Sequence, residues 1–159
     1  MSLGIIDSQS IKNINIPEEK GYDGNKKILG IKRHIIVDTM GLPHAIMITT
    51  ANTGDRDGAI KMVLSNLENL SNVKKFLVDG GYIGDKFSDT IKEICGAEVE
   101  VIKRGETHKF IVLPKRWIVE RTFGWINHYR RLWKNCERFL KTSYSMLVLS
   151  FISIFIKRF

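Results

Sequence analysis

A chain of 159 residues, 43% of them apolar, is long enough for one domain with a proper core and too short to expect two. Cys95 and Cys136 form no CxxC pair, His34, His44, His108 and His128 are scattered, and no glycine fingerprint for nucleotides appears, which argues against a disulfide scaffold, zinc and nucleotide cofactors. The net charge of +8 lies in one segment: residues 103–141 carry 11 Lys and Arg against Glu106, Glu120 and Glu137, while the other 14 basic residues are balanced by 14 acidic ones. Positive charge so localised, with aromatic residues interleaved, points to nucleic acid ahead of an anionic membrane surface, and the cysteine usage suits a reduced cytoplasmic setting.

Alternation over Gly4 to Ser10 predicts a strand that starts almost at the first residue, an abruptness that raises the expectation of an upstream segment cut away before Gly4. Residues 13–31, with Pro17, three glycines and many charges, read as a loop or flexible arm. His34 to Asp38 and Pro43 to Thr50 predict an antiparallel hairpin around residues 39–42. Ile60, Val63, Leu64 and Leu67 keep helical spacing within Gly58 to Leu70, so Asp55 or Asp57 is expected as the helix N-cap. Phe76 to Asp79 reads as a short buried strand ending at Gly80-Gly81, Phe87, Ile91, Ile94 and Cys95 mark a second helix, and Glu98 to Lys103 supplies a fifth strand. Two C-terminal helices follow, over 116–134 and around Met146 to Ile156; the latter is shorter than the roughly 20 residues a bilayer requires and reads as a core-packing or partner-binding helix. The expected architecture is α/β, a mixed five-stranded sheet with helices on both faces.

At about 100° per residue, the helix over 116–134 gathers Ile118, Thr122, Trp125, Ile126, Tyr129, Leu132 and Trp133 on one stripe. Glu120 lies opposite, beside Arg116, Asn127, Arg131 and Lys134. A lone carboxylate among cations suits a site that binds metal and polyanion together; an ordinary i, i+4 pair of Arg116 with Glu120 accounts for the same pattern. Asp7 ends the apolar part of the first strand and Asp79 ends the fourth. If those strands are parallel neighbours, both carboxylates emerge at one sheet edge, and Gly80 and Gly81 leave room for a substrate. With Glu120 they make three carboxylates able to hold two hard cations such as Mg²⁺, the arrangement that serves phosphodiester chemistry. Taken singly, each aspartate reads equally well as a strand-end or turn residue.

Four stretches together carry a family likeness: Ile6-Asp7-Ser8-Gln9-Ser10; Gly21-Tyr22-Asp23-Gly24-Asn25-Lys26-Lys27 through Lys32-Arg33-His34; Val78-Asp79-Gly80-Gly81-Tyr82; and Arg116-Trp117-Ile118-Val119-Glu120-Arg121-Thr122-Phe123. In this order, over nearly the whole chain, they resemble the DDE transposases of bacterial insertion sequences, most closely the insertion-sequence-five type. The resemblance implies an RNase-H-like fold, with Asp7, Asp79 and Glu120 as catalytic triad and as ligands of two Mg²⁺ or Mn²⁺ ions. It implies cutting at transposon ends, attack of the freed 3′ hydroxyls on target DNA, DNA as the partner, a homodimer in the DNA complex, no membrane, and a bacterial cytoplasm. Where many relatives carry Tyr before, and Lys after, the motif around the glutamate, this chain has Leu113 and Asn127, with Arg130, Arg131 or Lys134 as substitute cations. The helical DNA-binding domain that commonly precedes the catalytic domain is expected to be missing. Phosphate contacts are expected from Lys26, Lys27, Lys32, Arg33, Arg116, Arg121, Arg130, Arg131 and Lys134. Trp117 is expected exposed and able to stack on a base, Trp125 and Trp133 in the core. Two rivals share these features, a non-catalytic DNA-binding remnant and a stand-alone metal-dependent nuclease.

Overall fold

The computed structural model describes residues 2–14, 16–102 and 116–158. In chain order they form β1 (Leu3–Lys12), β2 (Gly21–Asp23), β3 (Ile28–Val37), β4 (Pro43–Thr50), α1 (Asp55–Leu64), α2 (Leu67–Leu70), β5 (Lys75–Val78), α3 (Asp85–Cys95), β6 (Glu98–Val101), α4 (Arg116–Asn127) and α5 (Leu140–Arg158). The sheet runs β2-β3-β1-β5-β6, with β4 also on β3. β1, β3 and β4 pair antiparallel, whereas β1, β5 and β6 pair parallel, so the sheet is mixed as expected.

Strand alternation builds two cores from the same three strands. Ile6, Ile36, Phe76 and Val78 face Ala59, Met62 and Val63 of α1 and Phe87 and Ile91 of α3. Their chain neighbours Ile5, Ile35, Val37 and Leu77 turn the other way, onto Ile118, Val119, Phe123 and Ile126 of α4 and Leu147, Phe151 and Ile154 of α5. Each such side chain contributes roughly 1.5–3 kcal/mol by leaving water. β1, β3 and β5 are therefore apolar on both faces.

The structure departs from the sequence reading in several places. The sheet has six strands, not five, because β2 lies within the stretch read as a loop; Tyr22 pairs with Leu29 there, and Gly21 fits only because a Cβ would overlap Asn52. The helix expected to Leu70 is split into α1 and α2. Its N-cap is Gly54, extended and without a side-chain cap, so Asp55 and Asp57 are first-turn acids that favour the helix dipole and not the caps expected. The helix expected to reach 134 stops at Asn127, where the chain turns through Tyr129 N–H to the Ile126 carbonyl (3.0 Å) and Leu132 N–H to the Tyr129 carbonyl (2.8 Å). α5 begins earlier than read and runs 19 residues; its length and apolar composition would suffice to cross a membrane, and Leu147, Phe151 and Ile154 spend one face of it in the core.

Candidate active site

The parallel pair β1 and β5 sets the site. Leu3 lies beside Lys75, Gly4 beside Phe76 and Ile5 beside Leu77. Two residues further in that register, Asp7 comes beside Asp79. Asp79 is extended (φ −85°, ψ 179°) just past β5, and its Oδ1 accepts the Gly81 N–H at 2.9 Å, which caps the short 3₁₀ turn Gly80–Tyr82. Asp7 Oδ1 accepts the Ser8 N–H at 2.7 Å. Both aspartates line one small cavity, together with Ile5, Leu77, Ile102 and Val119. Val119 is buried on α4, and Glu120, the next residue, is exposed. Among the described residues no group of three or more His, Cys, Asp or Glu is placed to hold a metal ion.

Behind the aspartates lies a buried ionic network. Lys32 Nζ stands 2.8 Å from Asp55 Oδ1 and 3.3 Å from Asp23 Oδ2. Ser8 Oγ donates to Asp55 at 2.8 Å and Ser10 Oγ to Asp23 at 2.6 Å, which ties β1 to α1 on one side and to β2 on the other. Burial alone would raise the Asp23 carboxyl, but Ser10, the Lys26 N–H and Lys32 outweigh it and hold the pKa at about 2. Asp55 is lowered in the same way, burial being outweighed by Lys32 and Ser8. A Cβ on Gly81 would stand 3.1 Å from Asp79 Oδ1 and 3.9 Å from Asp55 Oδ2, so Gly81 separates this network from Asp79. Tyr82 is buried beneath the same ground: burial, then the charges of Asp7, Asp55 and Asp79, push its hydroxyl well above its ordinary pKa, with Ser8 opposing. His34 packs against α1 so closely that a Cβ on Gly58 would overlap its ring; burial lowers its pKa to about 4 against the pull of Asp55.

The residues expected to touch phosphate divide. Lys26 and Lys27 are exposed on the turn between β2 and β3. Lys32 (4% exposed) and Arg33 (2%) are buried, Lys32 against its two aspartates, so neither stands at the surface. Arg121 is likewise taken up by the fold. Its guanidinium lies 4.6 Å from the Trp117 ring centre and 4.8 Å from that of Trp125, and Nη2 donates to the Met40 carbonyl at 2.9 Å. With Thr122 Oγ1 donating to the Gly41 carbonyl at 2.9 Å, it clamps α4 onto the β3–β4 turn. Arg130 and Arg131 are exposed, and Arg131 pairs with Glu137 at 2.6 Å. Trp117 is half exposed as expected and Trp125 packs on the core, but Trp133, expected in the core, is 53% exposed with Lys134 Nζ 4.0 Å from its ring centre. Leu113, residues 103–115 of the basic segment and the Arg116 side chain lie outside the described residues. Reading the sequence alone missed Asp55 as the partner of Lys32 and Ser8, and Tyr82 as the residue beneath the carboxylates. An acid at a helix start and a tyrosine after a glycine pair were visible, but nothing local told that they meet Asp7.

A mixed sheet in which β1, β3 and β4 pair antiparallel and β1, β5 and β6 parallel, with helices on both faces, is the RNase-H-like class of fold. A protein from the cryoEM structure of the simian T-cell lymphotropic virus intasome in complex with the PP2A regulatory subunit B56 gamma superposes on 94% of this chain and 46% of its own, with a TM-score of 0.55 at 14% identity, a likeness of fold. Within that class the chain belongs to the family described as the transposase DDE domain, whose model matches residues 1–156. It is also 30% identical, over 116 residues, to a putative transposase for insertion sequence element IS402 from Burkholderia cepacia. That match covers 69% of this chain and 54% of the relative, so the chain spans about half the length of the proteins it resembles.

Proposed function

We propose that this chain is the catalytic domain of a bacterial insertion-sequence transposase that cleaves DNA at transposon ends and joins the freed ends to target DNA, using divalent metal. The observation that carries this reading is that Asp7 and Asp79 line one cavity beside the parallel strands β1 and β5 in a chain of the DDE family. The donor set fits a hard cation, because Asp7, Asp79 and Glu120 offer carboxylate oxygens and no sulfur or imidazole. Asp7 and Asp79 would hold the metal, with Glu120 as third ligand from α4. When bound, Mg²⁺ or Mn²⁺ activates the attacking oxygen and stabilises the leaving one. The chain's own residues supply the setting. The Gly81 N–H fixes Asp79, the absence of a side chain at Gly81 leaves the strand end open to a sugar-phosphate backbone, and the Lys32 network keeps β1 and α1 from shifting beside Asp7. Exposed Lys26, Lys27 and Arg130, with half-buried Lys134, hold phosphates by charge, without reading sequence.

The test uses supercoiled and linear DNA with inverted ends, in Mg²⁺ or Mn²⁺, scoring nicking and joining separately. Asp7→Asn, Asp79→Asn and Glu120→Gln each abolish both steps, a fall of roughly a thousandfold or more, and double variants are scarcely worse than singles because the carboxylates act as one unit. DNA binding stays within about twofold, since the contacts to phosphate remain. Wild-type-like joining by Glu120→Gln would overturn the triad. A wild-type protein that nicks without joining is a nuclease, and one that binds without nicking is a non-catalytic remnant.

A further inference from the structure

After α4 the chain forms a loop that has no sheet or helix of its own and yet is held rigidly. Asn135 is its anchor, buried against the far end of β1. Its N–H donates to the Lys12 carbonyl (2.9 Å), its carbonyl accepts the Ile14 N–H (3.0 Å), its Nδ2 donates to Asn13 Oδ1 (2.7 Å), and its Oδ1 accepts the Ser143 hydroxyl (2.8 Å). The Glu18 N–H donates to the Arg138 carbonyl at 2.9 Å, and Arg131 closes on Glu137. On either side of this anchor an aromatic ring is turned to solvent with a cation over it. Trp133 carries Lys134, and Phe139, 49% exposed, carries Arg138 at 5.4 Å. Residues 128–141 hold five Lys and Arg against Glu137 alone, a net +4.

Other large apolar side chains are exposed too, Tyr22, Trp117 and Leu149 among them, but Trp133 and Phe139 flank one pinned loop, each with a cation over its ring. Aromatic faces beside fixed cations match a nucleic acid strand whose bases are unpaired: the rings stack on base faces whatever the sequence, and the cations meet the phosphates. A duplex hides its base faces in its own stack. We propose that the loop between α4 and α5 is a platform for single-stranded DNA, stacking bases on Trp133 and Phe139. The inference rests on the reading that this protein handles DNA, and adds which form of DNA the loop selects.

The experiment titrates the full chain with a fluorescein-labelled 20-nucleotide oligothymidine and, separately, with a blunt 20-base-pair duplex of unrelated sequence, at one fixed salt concentration. The Trp133→Ala, Phe139→Ala double variant binds the oligothymidine about tenfold or more weaker, while duplex affinity changes less than about twofold. Trp133→Phe, which keeps a stacking ring, holds the oligothymidine within about threefold of wild type. An equal loss on both probes, an equal loss in Trp133→Phe and Trp133→Ala, or no loss at all overturns the platform. Failure of the wild type to bind either probe overturns the DNA reading itself, and duplex binding without oligothymidine binding overturns the platform alone.

Discussion

Two groups of cations in this molecule are put to opposite uses. Around residues 23–55, Lys32 is held by Asp23 and Asp55, and Arg33 is buried. Around residues 128–141, Arg130 and Lys134 stand over a loop whose only acid is already paired with Arg131. The side-chain chemistry is the same in both. The difference is a buried carboxylate within reach: where one exists the lysine becomes part of the scaffold, and where none does the charge is left to act on a ligand. Counting basic residues along a sequence therefore overstates a DNA-binding surface wherever acids are interleaved in neighbouring strands.

The sharpest way to break this comparison is Lys32→Met against Lys134→Met. The first strands the buried Asp23 and the half-buried Asp55 and lowers the unfolding free energy by about 3 kcal/mol, while the second stays within about 0.5 kcal/mol of wild type. Urea denaturation measures both, and equal stabilities would show that Lys32 is no more structural than Lys134. A somewhat smaller effect follows from His34, which sits in the first region and is neutral in the fold because its pKa is lowered to about 4 from 6.5. The unfolded chain takes up a proton there first, so this contribution is complete above pH 6.5 and is lost as pH falls toward 4, up to about 3 kcal/mol. His34→Gln should flatten the stability profile in that window, and an unchanged slope would assign it to another group. Asp23 acts lower down: its contribution is full above pH 3.8 and is lost as pH falls toward 2. The smallest effect is Gly58→Ala. Helix propensity alone would gain about 1 kcal/mol, yet the new methyl meets the His34 ring, and a net loss of about 1–3 kcal/mol is expected. A stabilised variant would mean the ring gives way freely.

Legibility in the sequence followed the range of the signal. β1, the β3–β4 hairpin and the helix bearing Glu120 were readable because alternation and 3.6-residue spacing are local, and the parallel neighbours β1 and β5 were anticipated from aspartates at two strand ends. β2 was not, since three residues, Gly-Tyr-Asp, carry no period and owe their strand to pairing with Ile28–Gly30. Trp133 was misplaced by extending a helical stripe past Asn127, where the chain turns and points the ring outward. Lys32 announced its charge but not its burial, because the two aspartates that cover it come from 9 residues before and 23 after. The apolar run from His34 that marked β3 as a strand did not reach Lys32 and held no mark of which polar residues would find partners inside.

The pairing of β1 with β5 joins segments about seventy residues apart, and a parallel pair cannot be closed by a short hairpin. Asp7 and Asp79 thus come to one cavity only when the slowest, most non-local contacts of the sheet have formed. A nascent or partly unfolded copy holds the two aspartates apart, so the cavity they line exists only in the completed sheet.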